Sequence, residues 1–134
     1  MNRLFGVTLL AGALLGAVSC GKDGVSSGPG TLQVRLTSPA ANSGLDSAIV
    51  LTISGPAPLT SATAGNGLRL FAQPLGGTTT KFALTGRLTS GATILTIGVA
   101  DVGSFSQYTG SIQGVALPNY TLRSLTGYAL AVTR

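Results

Sequence analysis

The chain has 134 residues, which is room for one domain and a short targeting segment. It carries eight Lys and Arg residues but only three acids, all of them Asp, and it contains no His and no Trp. Without His, the Ser-His-Asp and Cys-His arrangements of nucleophilic catalysis cannot be built, and without charged amphipathic stripes a helical domain is disfavoured.

The first nineteen residues have the parts of a bacterial export signal. Arg3 supplies a positive charge, and residues 4–19 form an uncharged run that is rich in Leu, Ala and Gly. As a helix this run would be roughly 24 Å long, which is shorter than a hydrocarbon core of about 30 Å. The pattern therefore predicts a signal peptide over residues 1–19.

The sequence Ala17-Val18-Ser19-Cys20 resembles the bacterial lipobox, although Ala17 stands where Leu is usual. Cys20 is the only Cys in the chain, so acylation at its sulfur would explain a thiol that has no disulfide partner. The resemblance implies a lipid anchor on Cys20 and a place on a bacterial membrane, facing the periplasm or the cell surface, on the outer membrane if the source has one. Ordinary secretion, which Ala17 and Ser19 also suit, and an uncleaved anchor are the alternatives.

Residues 20–30 then form the acylated Cys and a linker, whose Gly- and Ser-rich sequence is typical of a flexible tether. From residue 31 onward, apolar residues recur at every second position between Gly- and Pro-containing turns. This pattern predicts about seven strands and an all-β fold, a single antiparallel β-sandwich over residues 31–134. Short helical turns are the other possibility near residues 58–63 and 119–125.

The alternation also predicts which side chains of each strand point into the sandwich. The most strongly phased strand is expected at Leu95, Ile97 and Val99. The other inward sets are expected to be Leu32, Val34 and Leu36; Ile49, Leu51 and Ile53; Leu68, Leu70 and Ala72; Phe82 and Leu84; Tyr108, Gly110 and Ile112; and Tyr128, Leu130 and Val132.

The order of strands and turns over about residues 46–100 resembles that of cohesin-like β-sandwich modules. The segments that carry this resemblance are AIVLTISGPAPLTSATAGNGLRL, GGTTTKFALTG and SGATILTIGVA. It implies a protein-protein recognition module or a cell-surface scaffold. The chain departs from that pattern because it has no second domain and no internal repeat.

The residues that could perform chemistry in the domain are few. Asp46 and Asp101 are its only carboxylates, and one is expected to begin a strand while the other ends one. We interpret both as strand-end residues that accept backbone N–H bonds rather than as a glycosidase pair. The sequence has no zinc-ligand set and no DxDxDG-like calcium loop, so we expect no catalytic residue, no metal site and no cofactor.

The positive charges are spread singly and do not alternate with aromatic residues, so nucleic acid is not an expected partner. Five aromatic residues are candidates for a binding surface: Phe71, Phe105, Tyr108, Tyr120 and Tyr128. Phe71 is favoured because it falls on the outward phase of its strand, and Phe105 and Tyr108 because they lie in the loop-like segment SFSQY. The alternative is that Phe71 covers a second layer or a loop and that Tyr128 belongs to the core.

The sequence therefore predicts a non-catalytic, lipid-anchored protein of the cell envelope, with a structural or protein-recognition role. The alternative is a module that binds a carbohydrate or another envelope polymer. The expected partners are the membrane, through Cys20, and an envelope protein or polysaccharide.

Overall fold

A computed structural model describes residues 27–134. The predicted signal peptide, Cys20 and most of the linker lie outside the described residues. No helix within the described part of the chain is long and apolar enough to cross a bilayer.

Eight strands and two short 3₁₀ helices make up the described chain. The strands are β1 (Gly30–Thr37), β2 (Asp46–Ser54), β3 (Ser61–Ala64), β4 (Arg69–Pro74), β5 (Thr79–Leu88), β6 (Thr93–Val99), β7 (Thr109–Ala116) and β8 (Ala129–Thr133). The 3₁₀ helices are Ala40–Asn42 and Val102–Gln107.

The strands form two antiparallel sheets of four strands each. One sheet has the order β3-β6-β1-β8, and the other has the order β4-β5-β2-β7. The two sheets bury their inner faces against each other, which confirms the all-β sandwich predicted from the sequence. The predicted alternation is also confirmed: the predicted inward residues of β1, β2, β5 and β6 are buried, and so is Tyr108 just before β7. The remaining inward residues predicted for the edge strands β4, β7 and β8 are half-buried or, at Ala72, exposed.

One core connects both sheets. Its buried apolar residues are Leu32, Val34, Leu36, Ile49, Leu51, Ile53, Phe82, Leu84, Leu88, Ile94, Leu95, Ile97, Val99, Tyr108 and Val115.

The sequence-based strand count missed β3. This edge strand overlaps the region considered for a helical turn, yet Ala62 pairs with Ile97 and Ala64 with Leu95. Four residues of alternating small and hydroxyl side chains have little periodic signal of their own, and the strand forms because β6 offers it a template. Residues 119–125 contain no helix either; they form turns and one isolated bridge.

The antiparallel registers give the sandwich two distinct ends. At the N-terminal end, Gly30 pairs with Val99, and the chain enters β1 beside the loop that follows β6. At the distal end, Thr37 pairs with Ala129 and Asp46 pairs with Leu88. The N-terminal end therefore holds residues 27–29, 55–60, 75–78 and 100–108, and the distal end holds residues 38–45, 65–68, 89–92 and 117–128.

Candidate functional site

The β7–β8 connection is the most exposed apolar segment of the distal end. It folds back on itself as a narrow hairpin, because the Arg123 N–H donates to the Val115 carbonyl at 2.8 Å and Ala116 forms a bridge with Leu122. Nearer the tip, the Leu117 N–H donates to the Thr121 carbonyl at 2.9 Å. These bonds give the loop a defined backbone, although it lies outside the two sheets.

Tyr120 occupies the tip of this hairpin in a left-handed conformation, with a φ of 69°. It is the one residue other than Gly with a positive φ within residues 27–134, and such a conformation costs an L-residue of this size about 1 kcal/mol or more. The turn is held by the Tyr120 N–H, which donates to the Leu117 carbonyl, and by Asn119 Oδ1, which accepts from the Thr121 N–H. The strained backbone presents a ring that is 90% exposed.

The base of the hairpin is fixed by a buried carboxylate. Asp46, at the start of β2, is only 2% exposed, and its Oδ1 accepts from Arg123 Nε at 2.7 Å. Its Oδ2 accepts from the Tyr128 hydroxyl at 2.5 Å, and that hydroxyl accepts from Asn42 Nδ2 at 3.0 Å. The network joins both arms of the β7–β8 loop to β2 and to the first 3₁₀ helix.

The proton equilibria of the network follow from burial and from the carboxylate. Burial raises the pKa of the Tyr128 hydroxyl, and its hydrogen bond to Asp46 raises the pKa further because the phenol must keep its proton to donate. The hydrogen bond to Asp46 also raises the pKa of Arg123. Both shifts favour the protonation states in which the three side chains stay bonded.

Four exposed apolar side chains share the distal end, and we name them the distal cluster: Leu45, Tyr120, Leu122 and Leu125. Leu45 is 55% exposed and Leu122 is 75% exposed, and they are the chain neighbours of Asp46 and Arg123, respectively. Because those two residues form an ion pair, Leu45 and Leu122 flank the same junction. Single exposed apolar residues are ordinary on protein surfaces, but a group of them at one end is typical of an interaction site.

Phe71 lies where the alternation predicts, on the outward side of β4, with 57% of its surface exposed. Its strand neighbours are Ala83 on β5 and, one strand further, Val50 on β2. The ring borders a groove of about 270 Å³ on the outer face of that sheet.

Phe105 and Tyr108 lie at the N-terminal end, and neither offers a free ring face. Tyr108 is 3% exposed and belongs to the core, where its ring fills the space beside Gly55: a Cβ on Gly55 would lie 2.2 Å from the Tyr108 ring. Phe105 is half-buried against the core, and the Arg134 guanidinium lies over its ring at 4.8 Å. The structure therefore does not present Tyr108 to a ligand.

Burial is also the main cause that raises the pKa of the Tyr108 hydroxyl, and the negative charge of Asp101 adds to it.

Asp46 and Asp101 lie at opposite ends of the sandwich, so they do not form a pair. Asp101 behaves as expected from the sequence: it accepts from the Gly28 and Gly103 N–H groups at 2.9 Å each, and these bonds lower its pKa. The same expectation was wrong for Asp46, which binds side chains instead of backbone amides. The two segments that bind it are 77 and 82 residues away, so no local sequence signal indicated them.

The sequence reasoning named Tyr120 as one aromatic candidate among five but did not favour it, and it missed Leu45, Leu122 and Leu125. The available signal was the segment LPNYTL, in which turn residues separate apolar residues that no strand pattern accounts for. Within residues 27–134, no three side chains of the types that ligate metals lie together.

No family model matches the chain, and the searches found no curated protein and no solved structure that matches it.

Replacing Asp46 with Ala is expected to lower the free energy of unfolding by about 3 kcal/mol, because it removes the buried partner of an ion pair and leaves the half-buried donors of Arg123 and Tyr128 without their acceptor. Urea unfolding of the full chain measures the loss. Asp46→Asn keeps the volume and one acceptor oxygen, so its loss should be smaller.

Hydrogen exchange provides a second readout for the Asp46 variants. Amides of residues 117–127 should exchange faster than those of β1 at a denaturant concentration where the variant is still folded. Equal acceleration throughout the chain would contradict a local role of Asp46 in holding the hairpin.

Tyr128→Phe tests the pKa shift. In the unfolded chain a tyrosine ionises near its ordinary pKa of 10.0, whereas folded Tyr128 keeps its proton to higher pH. The wild-type protein should therefore lose stability as the pH rises above about 10, and the variant should lose less over the same interval. Urea unfolding at a series of pH values measures both slopes, and identical slopes would contradict the shift.

Proposed function

We propose that this protein is a non-catalytic, lipid-anchored component of the bacterial envelope that recognises a partner protein through its distal cluster. The observation that carries the proposal is the position of Leu45, Tyr120, Leu122 and Leu125 at the end opposite the one where the chain enters the fold. A surface at that end points away from a membrane to which Cys20 is attached.

The attachment point of the tether is at the N-terminal end of the sandwich. Cys20 precedes Gly30, the first residue of β1, by ten residues, which span at most about 36 Å when fully extended. With its sulfur acylated, Cys20 would hold the N-terminal end of the sandwich within that distance of the lipid headgroups. The distal cluster, at the other end, would stay accessible to another envelope component.

The chemistry of the distal cluster favours a protein as its partner. Leu side chains have no polar group with which to bind a sugar, whereas Tyr is among the residues that contribute most to protein interfaces. The hydrogen-bonded hairpin and the Asp46 network hold Tyr120 and Leu122 in place before binding, which reduces the entropy lost on association. The resemblance to cohesin-like modules supports the same class of function.

The proposal of a non-catalytic role is supported by the hydrogen bonds that the carboxylates of Asp46 and Asp101 already make. Both oxygens of Asp46 are engaged and the side chain is buried. Asp101 is bonded to two backbone amides and a serine hydroxyl. Within residues 27–134, general acid-base chemistry has no other carboxylate side chain and no imidazole to use.

The lipid anchor is tested by intact-mass analysis and membrane fractionation of the chain expressed in a bacterial host. The wild-type protein should begin at Cys20, carry the mass of two or three acyl chains such as palmitate, and sediment with membranes, because two chains are needed for stable anchoring. Cys20→Ala should lose both the lipid and the membrane association. A wild-type protein that begins at Cys20 without lipid, or that is not cleaved at all, would contradict the anchor.

The recognition surface is tested by site-specific photocrosslinking in intact cells. A photoreactive residue at position 120 should give a discrete crosslinked product with a partner protein, because this side chain is the most exposed part of the distal cluster. The same residue at position 66, in the polar β3–β4 turn at the same end, serves as the control and should give no such product.

Leu122→Thr should abolish the crosslink from position 120 while leaving the fold intact, because Leu122 is largely exposed and Thr suits its β-bridge. Competition provides a second readout. Excess purified wild-type protein should suppress the product, whereas Tyr120→Asn, which tolerates the left-handed conformation but lacks the ring, should not. Equal products from positions 66 and 120, or none from position 120, would refute the proposed surface.

A further inference from the structure

The outer face of the sheet β4-β5-β2-β7 is a second surface with its own chemistry, distinct from the distal cluster. On β5, the alternation that buries Phe82 and Leu84 turns Lys81, Ala83 and Thr85 away from the core. This outer face consists mainly of hydroxyl-bearing and small side chains, with one aromatic ring.

Three cationic residues have outward positions on this sheet, and the guanidinium of one of them, Arg87, extends to the distal end, where it lies beside Gly44. Arg69 lies on β4, opposite Thr85, while Lys81 and Arg87 lie on outward positions of β5. No Asp accompanies them, because Asp46 is buried with Arg123 and Asp101 lies in the loop after β6 at the N-terminal end. Within residues 27–134, none of the three cations forms a salt bridge.

The groove beside Phe71 is lined by one of these cations, Lys81, and Arg69 takes the neighbouring outward position on β4. Phe71, Ala83 and Val50 form one row across three strands, and Gln73, Lys81 and Thr52 form the next row. Adjacent residues on the same side of a strand are about 7 Å apart, so the exposed ring lies next to an amide, an ammonium and a hydroxyl. A groove of about 270 Å³ with one open side suits a single ring of a longer molecule that continues across the sheet.

We propose that this outer face binds an anionic polysaccharide, with one sugar ring stacked on Phe71 and the acidic groups of the polymer beside Lys81, Arg69 and Arg87. Charge complementarity selects an anion, because the face has three cations and no carboxylate. The hydroxyls of Thr52 and Thr85 and the amide of Gln73 match the hydrogen-bonding groups of a sugar.

The composition of the face disfavours the other classes of macromolecule. A protein partner would require a wider apolar core than one ring surrounded by hydroxyl groups. A single-stranded nucleic acid would require several rings on which successive bases stack, and the outer face has one. The sugar polymer is the class for which one ring, several hydroxyls and spaced cations are sufficient.

Binding is tested by titration calorimetry on the full chain in uncharged detergent micelles, with polygalacturonate as the probe. Saturable binding that weakens with added salt is expected, since the charges are exposed and screened. Fully methyl-esterified polygalacturonate has the same backbone without the charge, and it should bind at least about tenfold more weakly. Equal binding of the two polymers would refute the role of the cations.

Variants assign the binding to the outer face. The triple variant Arg69→Gln, Lys81→Gln and Arg87→Gln should weaken binding about tenfold or more, whereas Arg35→Gln, on the outer side of the other sheet, should leave it unchanged. Phe71→Ala should weaken binding about fivefold, and Phe71→Tyr should retain it, because both rings stack. An effect of Arg35→Gln equal to that of Lys81→Gln would refute the site.

Two further outcomes separate this proposal from its alternatives. Single-stranded DNA of matched charge should bind more weakly than polygalacturonate, and equal affinity would mean that the face recognises charge alone, which overturns the proposal. Tyr120→Asn, in the distal cluster, should bind polygalacturonate like the wild-type protein. Its failure to do so would contradict the independence of the two surfaces.

Discussion

A buried carboxylate imposes the strictest constraint on the distal end of this protein. Asp46 is almost fully enclosed at the start of β2, and a charge in that position must be paired and hydrogen-bonded or the fold loses stability. Arg123 and Tyr128 satisfy it from the two arms of the β7–β8 loop. The position of that loop, and with it the orientation of Tyr120 and Leu122, depends on this one charge.

The pairing of Asp46 also bears on the proposed function, because it helps to hold the strained backbone at Tyr120. A left-handed Tyr at a loop tip is costly, and such strain persists where the surrounding contacts leave the backbone no alternative. Here the hairpin hydrogen bonds and the ion pair below it provide those contacts. The sandwich is thus a rigid support that carries an exposed apolar tip at one end, while the chain enters at the other.

The two proposed surfaces differ in their chemistry as well as in their position. The distal cluster is apolar and lies on loops, whereas the outer face of β4-β5-β2-β7 is cationic and lies on strands. A tethered domain with both surfaces could hold a partner protein while it contacts a charged polymer of the envelope. No residue is common to both, and they approach each other where the Arg87 guanidinium lies beside Gly44, the chain neighbour of Leu45.

The fold class and the facing of most strands could be predicted from the sequence alone, because the alternation of β1, β2, β5 and β6 is a local property of each segment. The outward position of Phe71 followed from the same rule. Only the tertiary structure decided that Asp46 meets Arg123 and Tyr128, that Tyr108 is buried beside Gly55, and that Arg69, Lys81 and Arg87 share one face. Those facts depend on which strands pair and how loops close over the ends, and a pattern of period two contains no information about contacts between residues far apart in the chain.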